Sequence, residues 1–315
     1  MRKLNTHRHI IASRKRGNPY NESNKSFLYI VFFTLVAKKI IEYFYIFATR
    51  LQRPQLAIHD NTLHRSPPSN KTKPITENVM KKIVILSGAG ISAESGISTY
   101  RDSGGLWDKY PVEQVASIDG YIKNPQLVLD FYNERRKQYR DIQPNLAHKL
   151  CHELENNYEV VVVTQNVDDL HEKANSTNII HLHGECNKAC SSDNPNDPRY
   201  IVELTKDHPE IHIGDKAGDG SQLRPYIVWF GESVPKMEDA VEAVLDADIF
   251  IIIGTSLNVY PAAGLVSYVP KNAQIFIIDP NDVNLRGGTH ITHIKKKATE
   301  GMKELVELLE RQRNT

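Results

Sequence analysis

The chain has 315 residues, 40% apolar and 24% charged, with a net charge of +1. These are the proportions of an ordinary soluble globular protein, and the length allows one large domain or two modest ones. Only three cysteines occur, Cys151, Cys186 and Cys190, which excludes a disulfide-built scaffold and suits a reducing cytoplasm.

The near-zero net charge hides two unlike regions. Residues 1–79 hold 14 Lys/Arg against 4 Asp/Glu, leaving 25 against 34 for the remainder. A basic polar stretch comes first, then the apolar run Ser26–Ala37 and a second apolar patch, Ile40–Ala48, which contains Glu42. Neither reaches the ~20 apolar residues that span a bilayer. Basic residues before an apolar run also suit a signal peptide, but no Ala-x-Ala-like cleavage site follows cleanly. Residues 50–79, with Pro54, Pro67, Pro68 and Pro74 among Ser, Asn and Thr, have linker composition. Residues 1–79 are therefore expected to be a disordered or non-native extension, with the folded domain running over residues 80–315 from Met80.

Lys82 to Leu86 is a short apolar, β-branched run that stops at Ser87-Gly88-Ala89-Gly90 and gives way to a helix-compatible segment. That pattern predicts a buried parallel strand turning into a helix. Glycines there let a diphosphate approach the backbone, and a helix N-terminus offers unpaired N–H groups. The spacing Gly-x-Gly-x5-Gly through Gly96 is not that of ordinary dehydrogenases, and alone it fits a plain tight turn equally well.

Further strands are predicted at Val160–Thr164, Ile179–Leu182, Tyr226–Phe230, Ile249–Ile253 and Gln274–Ile278. Helices are predicted over Gln126–Arg140, Asn145–Leu154, Lys236–Leu245 and Ala298–Arg311. Continuous apolar strands alternating with helices imply an α/β fold with a doubly wound, mainly parallel, Rossmann-like sheet. A helical module is expected at about residues 101–144. The polar stretch of about 185–224 reads as a small inserted domain.

Taken with its sequel, the glycine turn resembles the NAD-binding signature of the sirtuins, NAD-dependent protein-lysine deacylases. The matching residues are Gly88-Ala89-Gly90-Ile91-Ser92, Ser95-Gly96-Ile97, Arg101 and Gly104-Gly105-Leu106-Trp107. Thr164-Gln165-Asn166-Val167-Asp168, His181-Leu182-His183-Gly184 and Gly254-Thr255-Ser256-Leu257 follow in the family's order. The resemblance covers roughly residues 80–312. It implies that NAD is consumed as a co-substrate and held by Gly88, Ala89, Gly90, Ile91, Ser92, Glu94, Ser95, Arg101 and Trp107. It also implies that Tyr100, where many members carry Phe, shields the reactive ribose from water.

The other motifs can be read chemically as well. Gln165, Asn166 and Asp168 follow a Val-rich strand, so they emerge where open α/β sheets bind ligands. They also suit a polar turn capping the next helix. The resemblance places Asn166 and Asp168 on the nicotinamide amide and Gln165 near the ribose hydroxyls. His183 ends another strand, where a histidine is either structural or a base; a neutral imidazole can accept a hydroxyl proton near pH 7. The resemblance selects His183 over His181 as the catalytic base. Gly254, Thr255 and Ser256 suit phosphate or ribose binding or a simple hydroxyl turn. Asp279 and Asn281 end the next strand, where an acid can hold adenosine ribose hydroxyls, and Ala298 matches a position near adenine.

Tyr132 and Arg135 lie three apart and share one helix face. They suit a half-buried Tyr beside a solvated Arg, or a carboxylate site with a bidentate guanidinium and a phenol donor. In sirtuins such a pair marks a class III subgroup, with bacterial members, that removes succinyl, malonyl and glutaryl groups, and Ala116 matches a position that subgroup keeps small. Val228 and Phe230, in Val228-Trp229-Phe230-Gly231-Glu232, resemble the family's acyl-lysine loop, with the substrate peptide lying between it and Asn258-Val259-Tyr260.

The metal motif departs from the family. Cys186 and Cys190 stand alone as Cys-x3-Cys, where most sirtuins carry two Cys-x-x-Cys pairs. His208, His212 and Asp215 could complete a site in principle, but nothing in their spacing demands it, so no zinc and no other metal is expected. The expected reaction passes the acyl group from lysine to the nicotinamide ribose, with His183 taking a ribose-hydroxyl proton, and yields nicotinamide and O-acyl-ADP-ribose. The alternative is an NAD-dependent protein ADP-ribosyltransferase; a nicotinamide oxidoreductase and a non-catalytic NAD sensor are further rivals. The expected partners are acylated lysines of proteins, with neither nucleic acid nor membrane, and a cytoplasmic monomer.

Overall fold

The strands of the larger sheet are runs of β-branched residues because both of their faces are buried. The computed structural model describes residues 80–99, 110–283 and 291–314. Strands β1 (Lys82–Ser87), β2 (Glu159–Thr164) and β3 (Ile179–His181) lie on one side. Strands β7 (Ile249–Ile253), β8 (Gln274–Ile278) and β9 (Ile291–Ile294) lie on the other. Their order is β3-β2-β1-β7-β8-β9, and every pairing is parallel.

Alternate residues serve opposite layers. Ile83, Ile85, Ile249 and Ile251 pack with the helices Leu146–Glu153 and Ala298–Arg313, whereas Val84, Leu86, Phe250 and Ile252 pack with the helix Met237–Val244. The predicted α/β architecture is what forms. Because β1 leads outward to β2 and β7 leads outward the other way, the strand order reverses between β1 and β7. Loops leaving neighbouring strands diverge there and open a crevice at the carboxyl ends.

A second, three-stranded antiparallel sheet has the order β5-β4-β6, built from β4 (Gly184–Ser191), β5 (Val202–Glu203) and β6 (Leu223–Ile227). It shares an apolar cluster with the helix Pro125–Arg140, including Leu129, Phe131, Cys186, Ile211 and Trp229. The strand expected at Tyr226–Phe230 is corrected to Leu223–Ile227. Its first half carries Arg224 and Pro225, both buried in the small sheet, so apolarity does not mark it. Val228 to Phe230 leave the sheet and line a cavity. Strand β9 escaped the sequence reading because it is a half-exposed edge strand, and only Ile294 is fully buried.

Arg101 and Trp107, with the matches at Tyr100 and Gly104–Leu106, lie outside the described residues, as does the expected extension over 1–79. Among the described residues no helix is long and apolar enough to cross a membrane.

Candidate functional site

At the β1/β7 crevice two glycine loops touch backbone to backbone. A Cβ on Gly90 would lie 2.6 Å from Gly254 Cα, and one on Gly88 would lie 2.8 Å from Gly254 O. Gly254 itself has φ +63°, and its Cβ would meet Ile91 N at 2.3 Å. The glycines are therefore required first by the protein's own packing. The expectation of unpaired amides needs correction in part: Gly88 N–H donates to Ile253 O (3.0 Å) and Gly90 N–H to Gly254 O (2.9 Å).

Around these loops opens a cavity of about 930 Å³. Its walls include Gly88, Ala89, Gly90 and Glu94 after β1, Gln165 and Asn166 after β2, and His183 after β3. Gly254, Thr255 and Ser256 after β7, Asp279 and Asn281 after β8, and Ala298 continue the wall. Tyr132, Ala116, Val228 and Phe230 line it as well. The cavity is large enough for a dinucleotide. Its donors and acceptors come from five adjacent strand ends, and the glycine contacts remove side chains from its floor, so these residues fit NAD.

Four sequence-selected residues lie behind the wall. Ile91 is fully buried in the core. Ser92 donates to Asp168 Oδ2 (3.0 Å) and accepts from Asn166 Nδ2 (3.2 Å). Ser95 Oγ accepts from Asn145 Nδ2 (3.0 Å). Asp168 also accepts from Leu170 N–H (3.2 Å), and burial pushes its carboxyl up to about 6. Arg135 also lies away from the lining: its guanidinium donates to Gln138 (2.8 Å) and to the Tyr139 hydroxyl.

His183 Nδ1 lies 3.0 Å from Gln165 O. A carbonyl only accepts, so Nδ1 carries the proton and Nε2 is left as the basic atom. Burial lowers the pKa of His183, and the carbonyl bond only partly opposes this. The ring is thereby kept neutral near pH 7. His181 is turned instead to the Glu172 carboxylate (2.5 Å); burial alone would lower its pKa, but the bond to Glu172 raises it. Glu94 holds Thr299 through N–H (2.9 Å) and hydroxyl (2.7 Å), which fixes the helix start at Ala298. Asp279 Oδ1 accepts from Asn281 N–H (2.8 Å), and Thr255 Oγ1 accepts from Gln165 Nε2 (3.0 Å).

Sequence reading missed a buried polar layer beneath this floor. Ser87 Oγ meets both Thr164 Oγ1 (2.9 Å) and His171 Nε2 (3.0 Å), and the rings of His171 and His148 are 5.0 Å apart. Burial lowers His148 to about 4 and His171 well below the ordinary value. The signal was the polar residue closing a buried apolar run, Ser87 after Ile83–Leu86 and Thr164 after Val160–Val163.

Cys186 and Cys190 are buried thiols, each pushed up to about 11 by burial. Among the described residues the group able to share an ion is Glu172, His181 and Glu185. It contains neither cysteine, and Lys188 already bonds Glu185 (2.7 Å).

Fold and cavity together define a doubly wound α/β enzyme that binds a dinucleotide at the point where its strand order reverses. The Sir2 family profile matches residues 88–261. An NAD-dependent protein deacylase of Bacteroides thetaiotaomicron is 60% identical over 230 residues, spanning 73% of this chain and 98% of that protein. A Sir2 homologue solved with NAD superposes with TM-score 0.65 at 38% identity, covering 74% of this chain and 91% of that one. A Sir2 homologue mutant bound to ADP-ribose gives TM-score 0.67 at 37% identity over 75% and 94%. The chain belongs to the Sir2 family. It is an NAD-dependent protein deacylase that uses NAD as co-substrate.

Proposed function

We propose that this deacylase removes acyl groups that end in a carboxylate, succinyl and malonyl, as well as acetyl, from protein lysines. The observation that carries this is Tyr132, which lines the same cavity as His183 and Ala116 while Arg135 stands one turn along its helix. In this structure the Arg135 guanidinium donates to the neutral side chains of Gln138 and Tyr139. A carboxylate offers it a charge-assisted, bidentate partner instead, so the side chain is expected to leave Gln138 and Tyr139 when such an acyl group enters.

NAD supplies the electrophilic ribose carbon and nicotinamide as leaving group. Asn166, backed by Ser92 and Asp168, holds the nicotinamide end, and Thr255, Asp279, Asn281 and Ala298 hold the adenosine end. His183 Nε2 takes a ribose-hydroxyl proton while Gln165 O keeps its other nitrogen protonated. Val228 and Phe230 flank the acyl-lysine stem. Phe230 is pinned by its N–H to Ala116 O (2.9 Å) and by Ile118 N–H to its carbonyl (3.1 Å). Three buried unpaired thiols agree with a reducing, cytoplasmic setting.

The test compares succinyl- and acetyl-lysine peptides of one sequence on the wild type and on Arg135→Met. A succinyl preference that Arg135→Met abolishes is expected. Its absence, or its survival in the variant, overturns the acyl reading.

A further inference from the structure

Trp229 occupies the middle of the segment whose neighbours, Val228 and Phe230, flank the cavity, yet it is only 2% exposed. Its indole is held on three sides. Arg224 Cζ lies 4.0 Å from the ring centroid, a cation–π distance. The Tyr121 ring lies 4.8 Å away and the Tyr132 ring 6.2 Å. On the edge, Nε1–H donates to the Tyr132 hydroxyl at 3.1 Å.

The backbone at this residue is clamped too. Trp229 N–H donates to Glu232 Oε2 (2.9 Å), and the same carboxylate receives Arg224 through NH1 (2.8 Å) and NH2 (2.9 Å). Arg224 NH2 also reaches Ile227 O (3.0 Å). Arg224 is itself 2% exposed, so this bidentate pair is largely shielded from water. Val228 N–H, one residue earlier, is bonded to His183 O (2.9 Å). The ring therefore has little freedom to turn.

An indole N–H can only donate, whereas a phenol hydroxyl both accepts and donates. With Trp229 as its donor, the Tyr132 oxygen is fixed as an acceptor on that side, and its own proton is directed to another partner. We propose that Trp229 is a specificity-determining positioning residue. Its N–H orients the Tyr132 hydroxyl as a donor toward the distal carboxylate of the acyl group, and the Arg224–Glu232 pair holds the indole in place to do so. This assignment rests on the carboxylated-acyl reading of the site. Arg224 lies outside the cavity lining and Glu232 at its edge; both act on the acyl group through Trp229, and Trp229 acts through Tyr132.

The experiment is a double-mutant cycle with Trp229→Phe, Tyr132→Phe and the double variant, read on succinyl- and acetyl-lysine peptides of one sequence, with melting temperatures alongside. Trp229→Phe keeps an aromatic ring and removes the donor. It is expected to lower the succinyl-to-acetyl ratio of kcat/KM about fivefold, mainly through KM for the succinyl peptide. The double variant should do no worse on that ratio than Tyr132→Phe alone. Equal losses on both peptides, or a double variant whose loss is the product of the single losses, would overturn the assignment. If Trp229→Phe melts too early for kinetics, Glu232→Gln keeps the indole, loosens its clamp, and should move the same ratio in the same direction; an unmoved ratio is contrary. A wild type without succinyl preference removes the acyl reading itself, and that result precedes any variant. A wild-type preference that Trp229→Phe leaves intact removes only the role of Trp229.

Discussion

The ring of His183 is fixed by Gln165, whose carbonyl oxygen lies 3.0 Å from Nδ1. Both residues end neighbouring strands of one parallel sheet, so the backbone itself sets the tautomer of the base. Burial lowers the imidazole pKa from the ordinary 6.5. A base must be neutral to act, so the lowered value extends activity toward acid. The acid limb of the pH profile for kcat/KM should have its midpoint below 6.5, and a limb centred above 6.5 would contradict the assignment. His183→Ala should lower kcat about 100-fold or more while NAD binding persists.

Gly254 is the tightest point of the floor. With φ +63° and a Cβ that would fall 2.3 Å from Ile91 N, it has neither the conformation nor the space for a side chain. Gly254→Ala combines left-handed strain with a backbone overlap, and is expected to cost on the order of 2–4 kcal/mol. Differential scanning calorimetry should show a lower melting temperature. NAD titration should show affinity weakened at least tenfold, because Thr255 and Ser256 move with it. A variant with unchanged melting and NAD affinity would show that the two loops part easily.

Much of this was legible in the chain. Runs such as Ile249–Ile253 announced strands buried on both faces, and the strand ends at Gly88, Gln165, His183, Gly254 and Asp279 pointed to the cavity that they line, because a parallel sheet brings its carboxyl ends together. Besides strand β9 and the buried polar layer, three things were hidden. The Tyr226–Phe230 run looked like a strand, but Arg224 and Pro225 carry the pairing, since a buried ion pair and a proline do not register as apolar. Asp168 was matched to the ligand, and it lies off the cavity lining with Ser92 bonded to its carboxylate, a depth that spacing does not encode. The contact of Arg135 with Tyr139 is a rotamer choice within one helix, which the i, i+3 relation with Tyr132 does not decide.

The small sheet is expected to stand without metal. Arg136, 7% exposed, donates to Pro209 O (2.7 Å), Cys186 O (3.3 Å) and the Asn133 side chain. Asn133 in turn exchanges two 3.0 Å bonds with Ile211. This network ties residues 209–211 and β4 to the helix Pro125–Arg140, and the thiols of Cys186 and Cys190 stay protonated at neutral pH. Incubation with a chelator should leave the melting temperature unchanged, and metal analysis should find far less than one zinc per chain. One bound zinc, or a chelator-sensitive melt, would sink this expectation.

The two buried histidines under the floor predict how the fold meets acid. In the unfolded chain each binds a proton near the ordinary 6.5; in the fold His148 does so only at about 4, and His171 well below its ordinary value, because both are desolvated. The unfolded state therefore binds more protons across that interval, so this stability is full above pH 6.5 and is lost as pH falls toward 4. For His148 alone the interval corresponds to roughly 3 kcal/mol. Asp168 opposes it: burial raises its folded value from 3.8 to about 6, so the folded state binds the extra proton there and gains stability as pH falls through that range. His183, lowered, and His181, raised, act in opposite directions, so the two floor histidines against one aspartate leave a net loss. The melting temperature should fall between pH 7 and pH 5, and His148→Gln, which has no proton to gain, should show a smaller fall over the same range. An equal fall in both proteins would move the acid sensitivity elsewhere in the structure.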